Sequence, residues 1–253
     1  MTKSGTRTFA AMLLAVMLVF AAGCGGSSKT STAPNTPEQR KADRALGAKS
    51  VLKLADLPSG YKGTPHKTDS SNDTPAPVLR KFASCAKVPQ AKIDQLLNGK
   101  TDPKEVEVNA PDFAQRDAST GFSTTFENSV DLERSSKDLQ EPFDLFTAQS
   151  AFPCWKDLFR SVFVHSTGTG ASIRDLSIVP ISTGKIGDQS GGFGVRLTVA
   201  GKARSVNAYI DLYLARSGRA GISLLATGIG ERVDTSLALS LLQTVADRMK
   251  GTT

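Results

Sequence analysis

The stretch GFGVRLTVAGKARSVNAYIDLYLARSGRAGISLLAT, residues 192–227, decides the fold. Phe193, Val195, Leu197 and Val199 alternate with other residues, which is the period of a strand with one buried face. Gly201-Lys202 breaks the run, and a second alternation follows on Val206, Ala208, Ile210, Leu212 and Leu214. Ser217-Gly218 breaks it again before Ile222, Leu224 and Ala226. Three strands, 192–200, 204–215 and 220–227, joined by short polar turns, make an antiparallel meander. Asp234 then stands as N-cap of a last helix whose stripe is Leu237, Leu241, Val245 and Met249.

Upstream of the meander, Ile173, Leu176, Ile178 and Ile181 predict a further strand ending near Thr183. The spacing of four in Cys154/Trp155, Leu158/Phe159 and Val162/Phe163 predicts a helix from Pro153 to about Ser166, with His165 as a cation near its C-terminus. Leu139, Phe143 and Phe146 predict another helix over 136–149, bent or restarted at Pro142. Phe122, Thr124, Phe126, Val130 and Leu132 alternate with Ser123, Thr125, Glu127 and Asp131, a half-buried strand. Residues 98–117 read as irregular, and 78–97 as one or two short helices carrying Cys85. Thr36-Pro37-Glu38-Gln39 is a helix start, with Thr as N-cap, Pro at N1 and Gln at N3. That helix runs to about Leu54, weakened by Gly47. Strands grouped apart from helices define an α+β fold: an antiparallel sheet of about five strands packed against helices, ending in the meander and final helix.

The first 36 residues have another character. Lys3 and Arg7 precede the apolar run Phe9–Ala22, which ends in Ala21-Ala22-Gly23-Cys24. Fourteen apolar residues are short for a membrane span and right for a signal-peptide core. Small residues before a Cys resemble a bacterial lipobox, although Ala21 stands where Leu is commonest. The expectation is a signal peptide over 1–23, a diacylated Cys24, a flexible tether over 24–36 and one domain over 37–253. Ordinary cleavage near Ala22 and an uncleaved anchor are the alternatives. The expected place is the outer face of the cell membrane, held by the diacyl lipid.

Of the three cysteines, Cys24 is then taken by lipid, which leaves Cys85 and Cys154 in a disulfide-permissive compartment. A bridge between them is expected, against two separate buried thiols, and would be worth roughly 4 kcal/mol on the chain-entropy model. The formal charge is +7, and removal of Lys3 and Arg7 leaves +5, spread along the chain. Without a dense basic block carrying aromatics, a nucleic-acid partner is not expected.

Catalytic signatures are thin. Gly187-Asp188-Gln189-Ser190-Gly191-Gly192 is similar to the Gly-Asp-Ser-Gly-Gly of chymotrypsin-type nucleophiles, but Gln189 is inserted, and the segment reads as a Gly-rich strand entry. No HExxH, Cys-x-x-Cys or phosphate-binding loop occurs, so no cofactor and no metal site are assigned. His66, near Asp69 and Asp73, reads as a solvated residue of a polar loop, with a metal site there as the lesser alternative.

Several short motifs resemble the extracellular sensor domains of actinobacterial-type serine/threonine kinases and their stand-alone lipoprotein relatives. They are Leu54-Ala55-Asp56-Leu57-Pro58-Ser59-Gly60-Tyr61, Cys85, the strand Phe126–Val130 before a helix, Cys154 in the helix that follows, and Ile186-Gly187-Asp188-Gln189-Ser190. The C-terminal meander and helix are also similar to the PsbP-like sandwich of related envelope lipoproteins. This resemblance implies a non-catalytic, surface-tethered domain that binds or senses an envelope ligand. A carrier of a lipid or apolar metabolite and an accessory partner of an envelope complex are the alternatives. Nine of the ten Phe after Cys24 lie between Phe82 and Phe163. Phe122, Phe126, Phe143, Phe146, Trp155 and Phe159 therefore either fill a core or line an apolar cleft for a lipid or small envelope ligand.

Overall fold

In the computed structural model, residues 36–66, 75–89, 106–166, 172–201 and 205–250 are described. Thr36 caps α1 (Pro37–Ser50) by accepting a hydrogen bond from the Gln39 N–H at 3.1 Å. A 3-10 turn, Leu54–Asp56, replaces the last turn expected of this helix. Then come β1 (Lys62–Thr64), α2 (Ala76–Ala86), β2 (Val106–Asn109), β3 (Asp112–Arg116) and β4 (Ser123–Leu132). After α3 (Gln140–Thr147) and α4 (Phe152–Ser166) the chain enters β5 (Ser172–Ile181), β6 (Gln189–Ala200), β7 (Ser205–Ser217) and β8 (Ala220–Ile229), and ends in α5 (Thr235–Arg248).

The strands form one eight-stranded sheet in the order β1-β3-β4-β8-β7-β6-β5, with β2 also on β4. Every pairing is antiparallel. The α+β class and the closing meander and helix are as the sequence reads, but the described residues carry eight strands where about five were expected. Residues 106–116, within the segment read as irregular, carry β2 and β3. Their inward residues are few, Val106 and Phe113, so alternation over four or five residues is too short to register.

Helices cover both faces, which splits the interior into two cores. On one face α1 and α5 pack over β2, β4, β7 and β8, burying Phe126, Val130, Tyr213, Ile222, Leu224, Leu241 and Val245. Gly47, a weak point for helix propensity, is where α1 meets β2: a Cβ there would stand 2.7 Å from Val108 Cγ2. On the other face α2, α3 and α4 bury Phe82, Phe143, Phe146, Trp155 and Phe159 against Phe193, Leu212 and Leu225.

Two sequence motifs have structural work. Within Leu54–Tyr61, Asp56 accepts from the Lys53 N–H at 2.8 Å and from Arg248 Nη2 at 2.6 Å, clamping the turn to the end of α5. The Arg248 hydrogen bond holds the Asp56 carboxyl below its ordinary range. A depressed carboxyl stabilises the fold above its unfolded value, near 3.8, and the contribution is lost as pH falls through the folded value. Asp56→Asn should therefore cost roughly 2 kcal/mol at neutral pH, and progressively less as pH falls below the unfolded value, in urea melts. In Ile186–Ser190, Gly187 takes φ +63°, and a Cβ would stand 2.2 Å from the Arg216 carbonyl. Asp188 accepts from the Gly218 N–H at 2.7 Å, so the segment braces the β7–β8 turn.

Candidate functional site

The six aromatic residues read as either core or cleft are not brought together. Phe143, Phe146, Trp155 and Phe159 are buried in the core under α4. Phe126 is buried on the opposite face of the sheet, against Tyr61. Phe122 precedes β4 and is 38% exposed. The reason is register: side chains along β4 alternate faces, and the face that carries Phe126 belongs to α1 and α5. The helix-pair aromatics fill a core. Beside that core, Asp131, Leu139, Phe143, Leu214 and Arg216 help enclose a cavity of about 20 Å³, room for about one water.

Ser190 is likewise no nucleophile by its surroundings. Its hydroxyl donates to the Gly184 carbonyl at 2.8 Å and accepts from the Ile186 N–H at 3.1 Å and from Thr183 Oγ1 at 3.0 Å. Both of its hydrogen-bonding roles are spent on the turn before β6.

The other face of β4 holds what the sequence reading missed. Phe126, Asn128 and Val130 face the α1/α5 core, where Asn128 Oδ1 accepts from the Leu52 N–H at 2.9 Å. Glu127, Ser129 and Asp131 face the other way. The pairing Phe113↔Phe126 sets Asp112 beside Glu127, while Ser129 lies opposite Ser223, their hydroxyls 2.7 Å apart, and Asp131 opposite Glu107. So this face is apolar over β5–β8 up to Leu225 and polar over β2–β4.

His66, two residues beyond β1, closes over that polar part. Its Nδ1 lies 2.6 Å from Asp112 Oδ1, with His66 15% and Asp112 24% exposed. One ligand atom each from His66, Asp112 and Glu127 fall within 4.8 Å of one another. Glu127 is 9% exposed. His66 is therefore not the solvated loop residue expected. Asp69 and Asp73, its sequence neighbours, lie outside the described residues, as do Cys24 and the side chain of His165. In sequence Glu127 sits on the polar side of an alternating strand, which gives no signal of a buried site, and its partners are far off along the chain.

Burial pushes Glu127 up to about 7, helped by the charge of Asp112. The hydrogen bond that His66 donates to the Asp112 carboxylate raises His66. Burial, with the charges of Glu107 and Glu133, raises Asp131 well above the carboxylate range. Both His66 and Glu127 bind their protons more tightly folded than unfolded. Their contributions are thus full at low pH and lost as pH rises, for Glu127 between about 4.5 and 7, for His66 above 6.5. Without added metal, stability should fall by up to about 3 kcal/mol between pH 5 and 8, and Glu127→Gln should flatten most of that slope in urea melts.

Cys85 in α2 and Cys154 in α4 form a disulfide, with Cα atoms 5.7 Å apart.

No family model matches the chain. No curated protein matches it either. Among solved structures, the extracellular domain of PknH from Mycobacterium tuberculosis is similar at a TM-score of 0.33 and 9% identity, over 81% of this chain and 95% of that one. A likeness of that degree carries no functional conclusion. The described helices include none long and apolar enough to cross a membrane.

Proposed function

We propose that the protein is a non-catalytic lipoprotein of the outer face of the cell membrane, whose domain, residues 37–253, binds or senses an envelope ligand. The observation that carries this reading is the use of the cysteines. Cys85 and Cys154 are joined, and the remaining one, Cys24, ends an apolar run at Ala21-Ala22-Gly23. A disulfide suits an oxidising compartment, and a diacylated Cys24 would hold the domain at its surface through two acyl chains. Residues 24–36, rich in Gly, Ser and Thr, supply the tether. The non-catalytic part of the reading is supported by Ser190, whose hydroxyl is committed to its own turn.

Cells grown with a labelled fatty acid should incorporate label into the wild-type chain and not into Cys24→Ala, which should also leave the membrane fraction. Equal labelling and equal membrane retention of the variant would overturn the anchor. Native mass spectrometry of protein purified from its own membrane should then show the retained ligand as added mass.

A further inference from the structure

We propose that His66, Asp112 and Glu127 form a binding site for a first-row divalent cation, Zn²⁺ foremost. The site belongs to the folded domain and does not depend on how the chain is anchored.

Glu127, a carboxylate nine-tenths buried in mid-strand, is costly to keep charged. A second carboxylate, Asp112, stands beside it across the β3–β4 pair, which raises the cost. The remaining neighbour is an imidazole. His66 can offset one charge by taking a proton, but two carboxylates and a neutral imidazole match a divalent cation in both charge and donor count. Across the next pair, Glu127 stands opposite Leu225, whose side chain offers the carboxylate no polar group.

The geometry is close to that of a bound site. The three donor atoms fall within 4.8 Å of one another. Ligands on a tetrahedral zinc stand about 3.3 Å apart, given Zn–N and Zn–O bonds of about 2.1 Å. If Nδ1 is the nitrogen used, it and Asp112 Oδ1 need only open from 2.6 Å by less than an ångström. Asp112 and Glu127 are carried on paired strands of the sheet, and Thr64↔Asp112 pairing sets the position from which His66 reaches back. Strands hold ligands more tightly than loops do.

The donor set selects the metal. An imidazole nitrogen with two carboxylate oxygens suits Zn²⁺ and its first-row neighbours. Ca²⁺ and Mg²⁺ prefer all-oxygen shells of six or more ligands. Three protein ligands leave a fourth zinc position open to water or to an anionic group.

The test uses the full-length protein in detergent, stripped with a chelator and titrated with Zn²⁺ by calorimetry and by thermal melting. The expected result is one Zn²⁺ per chain and a rise in Tm of about 5 °C or more at a hundredfold excess over Kd. Ca²⁺ and Mg²⁺ should do neither. Co²⁺ should give the intense visible absorption of a low-coordinate site. His66→Ala, Asp112→Asn and Glu127→Gln should each weaken Zn²⁺ binding by at least a hundredfold and abolish the Co²⁺ band. Glu127→Gln keeps the side-chain shape and removes a buried charge, so it folds even if His66→Ala does not. Absence of stoichiometric Zn²⁺ binding, binding unchanged in Glu127→Gln, or equal binding of Ca²⁺ would overturn the site and leave the cluster as a charge-paired anchor for the segment after β1.

Discussion

Trp155→Ala should lower the stability of the domain by roughly 3–5 kcal/mol, the range for truncating a large aromatic in a packed core. Trp155 is 0% exposed. Its ring centroid lies 4.4 Å from Phe82, 5.4 Å from Phe146, 5.6 Å from Phe193 and 6.4 Å from Phe159. These rings come from α2, α3, β6 and α4, so the indole joins three helices to the sheet, and its loss leaves a hole that no single element can close. One effect works the other way. The indole N–H has no hydrogen-bond partner among the described residues, so truncation also removes a buried unpaired donor, worth about 1 kcal/mol. The net expectation is about 4 kcal/mol, read as a shift in urea midpoint at constant m-value. A loss under about 1 kcal/mol, with weakened uptake of a fluorescent lipid analogue, would restore the cleft reading of these aromatics.

Removing the disulfide should cost a similar amount. Cys85 and Cys154 are separated by 69 residues in sequence, and a closed loop of that length is worth about 4 kcal/mol through the unfolded chain. The covalent tie also has a local role. α2 reaches the rest of the fold through Leu79, Phe82 and Ala83, packed against α4, and α4 in turn lies on β5. Cys85→Ala/Cys154→Ala should therefore lower stability by about 4 kcal/mol in urea melts. Wild-type protein melted in reductant should match the double variant, which separates loss of the bond from loss of the sulfur atoms. Alkylation of the denatured, non-reduced chain with mass spectrometry should find no free thiol at either position. Two alkylated cysteines, or a double variant as stable as wild type, would refute this account.

The clamp of Asp56 on Arg248 and the closure of His66 over Asp112 share a feature. Each ties a segment near the start of the domain to an element far along the chain. Buried Asp43 on α1 does the same, pairing with Arg219 at the β7–β8 turn through Nη2 at 2.5 Å and Nη1 at 3.0 Å, while Arg219 Nη1 also donates to the Glu133 carbonyl. Such ties specify which face of the sheet α1 occupies, since either face has apolar surface to bury.

What the sequence by itself determined is what depends on near neighbours. The meander was legible because its strands are long, its turns carry Gly, and alternation repeats at period two. α5 was legible from Asp234, which accepts from the Ser236 N–H at 2.8 Å, and from a stripe at helical spacing. The pairing of Cys85 with Cys154 followed from counting, because the lipobox-like context of Cys24 sets that residue apart and leaves two. Tertiary structure decided the rest. Periodicity says that a residue is buried but not on which side of the sheet, so Phe126 and Phe146 looked like one cluster and belong to two cores. β2 and β3 were hidden because strands of four or five residues with one inward side chain carry almost no periodic signal. The meeting of His66, Asp112 and Glu127 was hidden for a stronger reason. Strand pairing brings together residues whose spacing in sequence has no rule, and only the register of β1 on β3 and of β3 on β4 makes them neighbours.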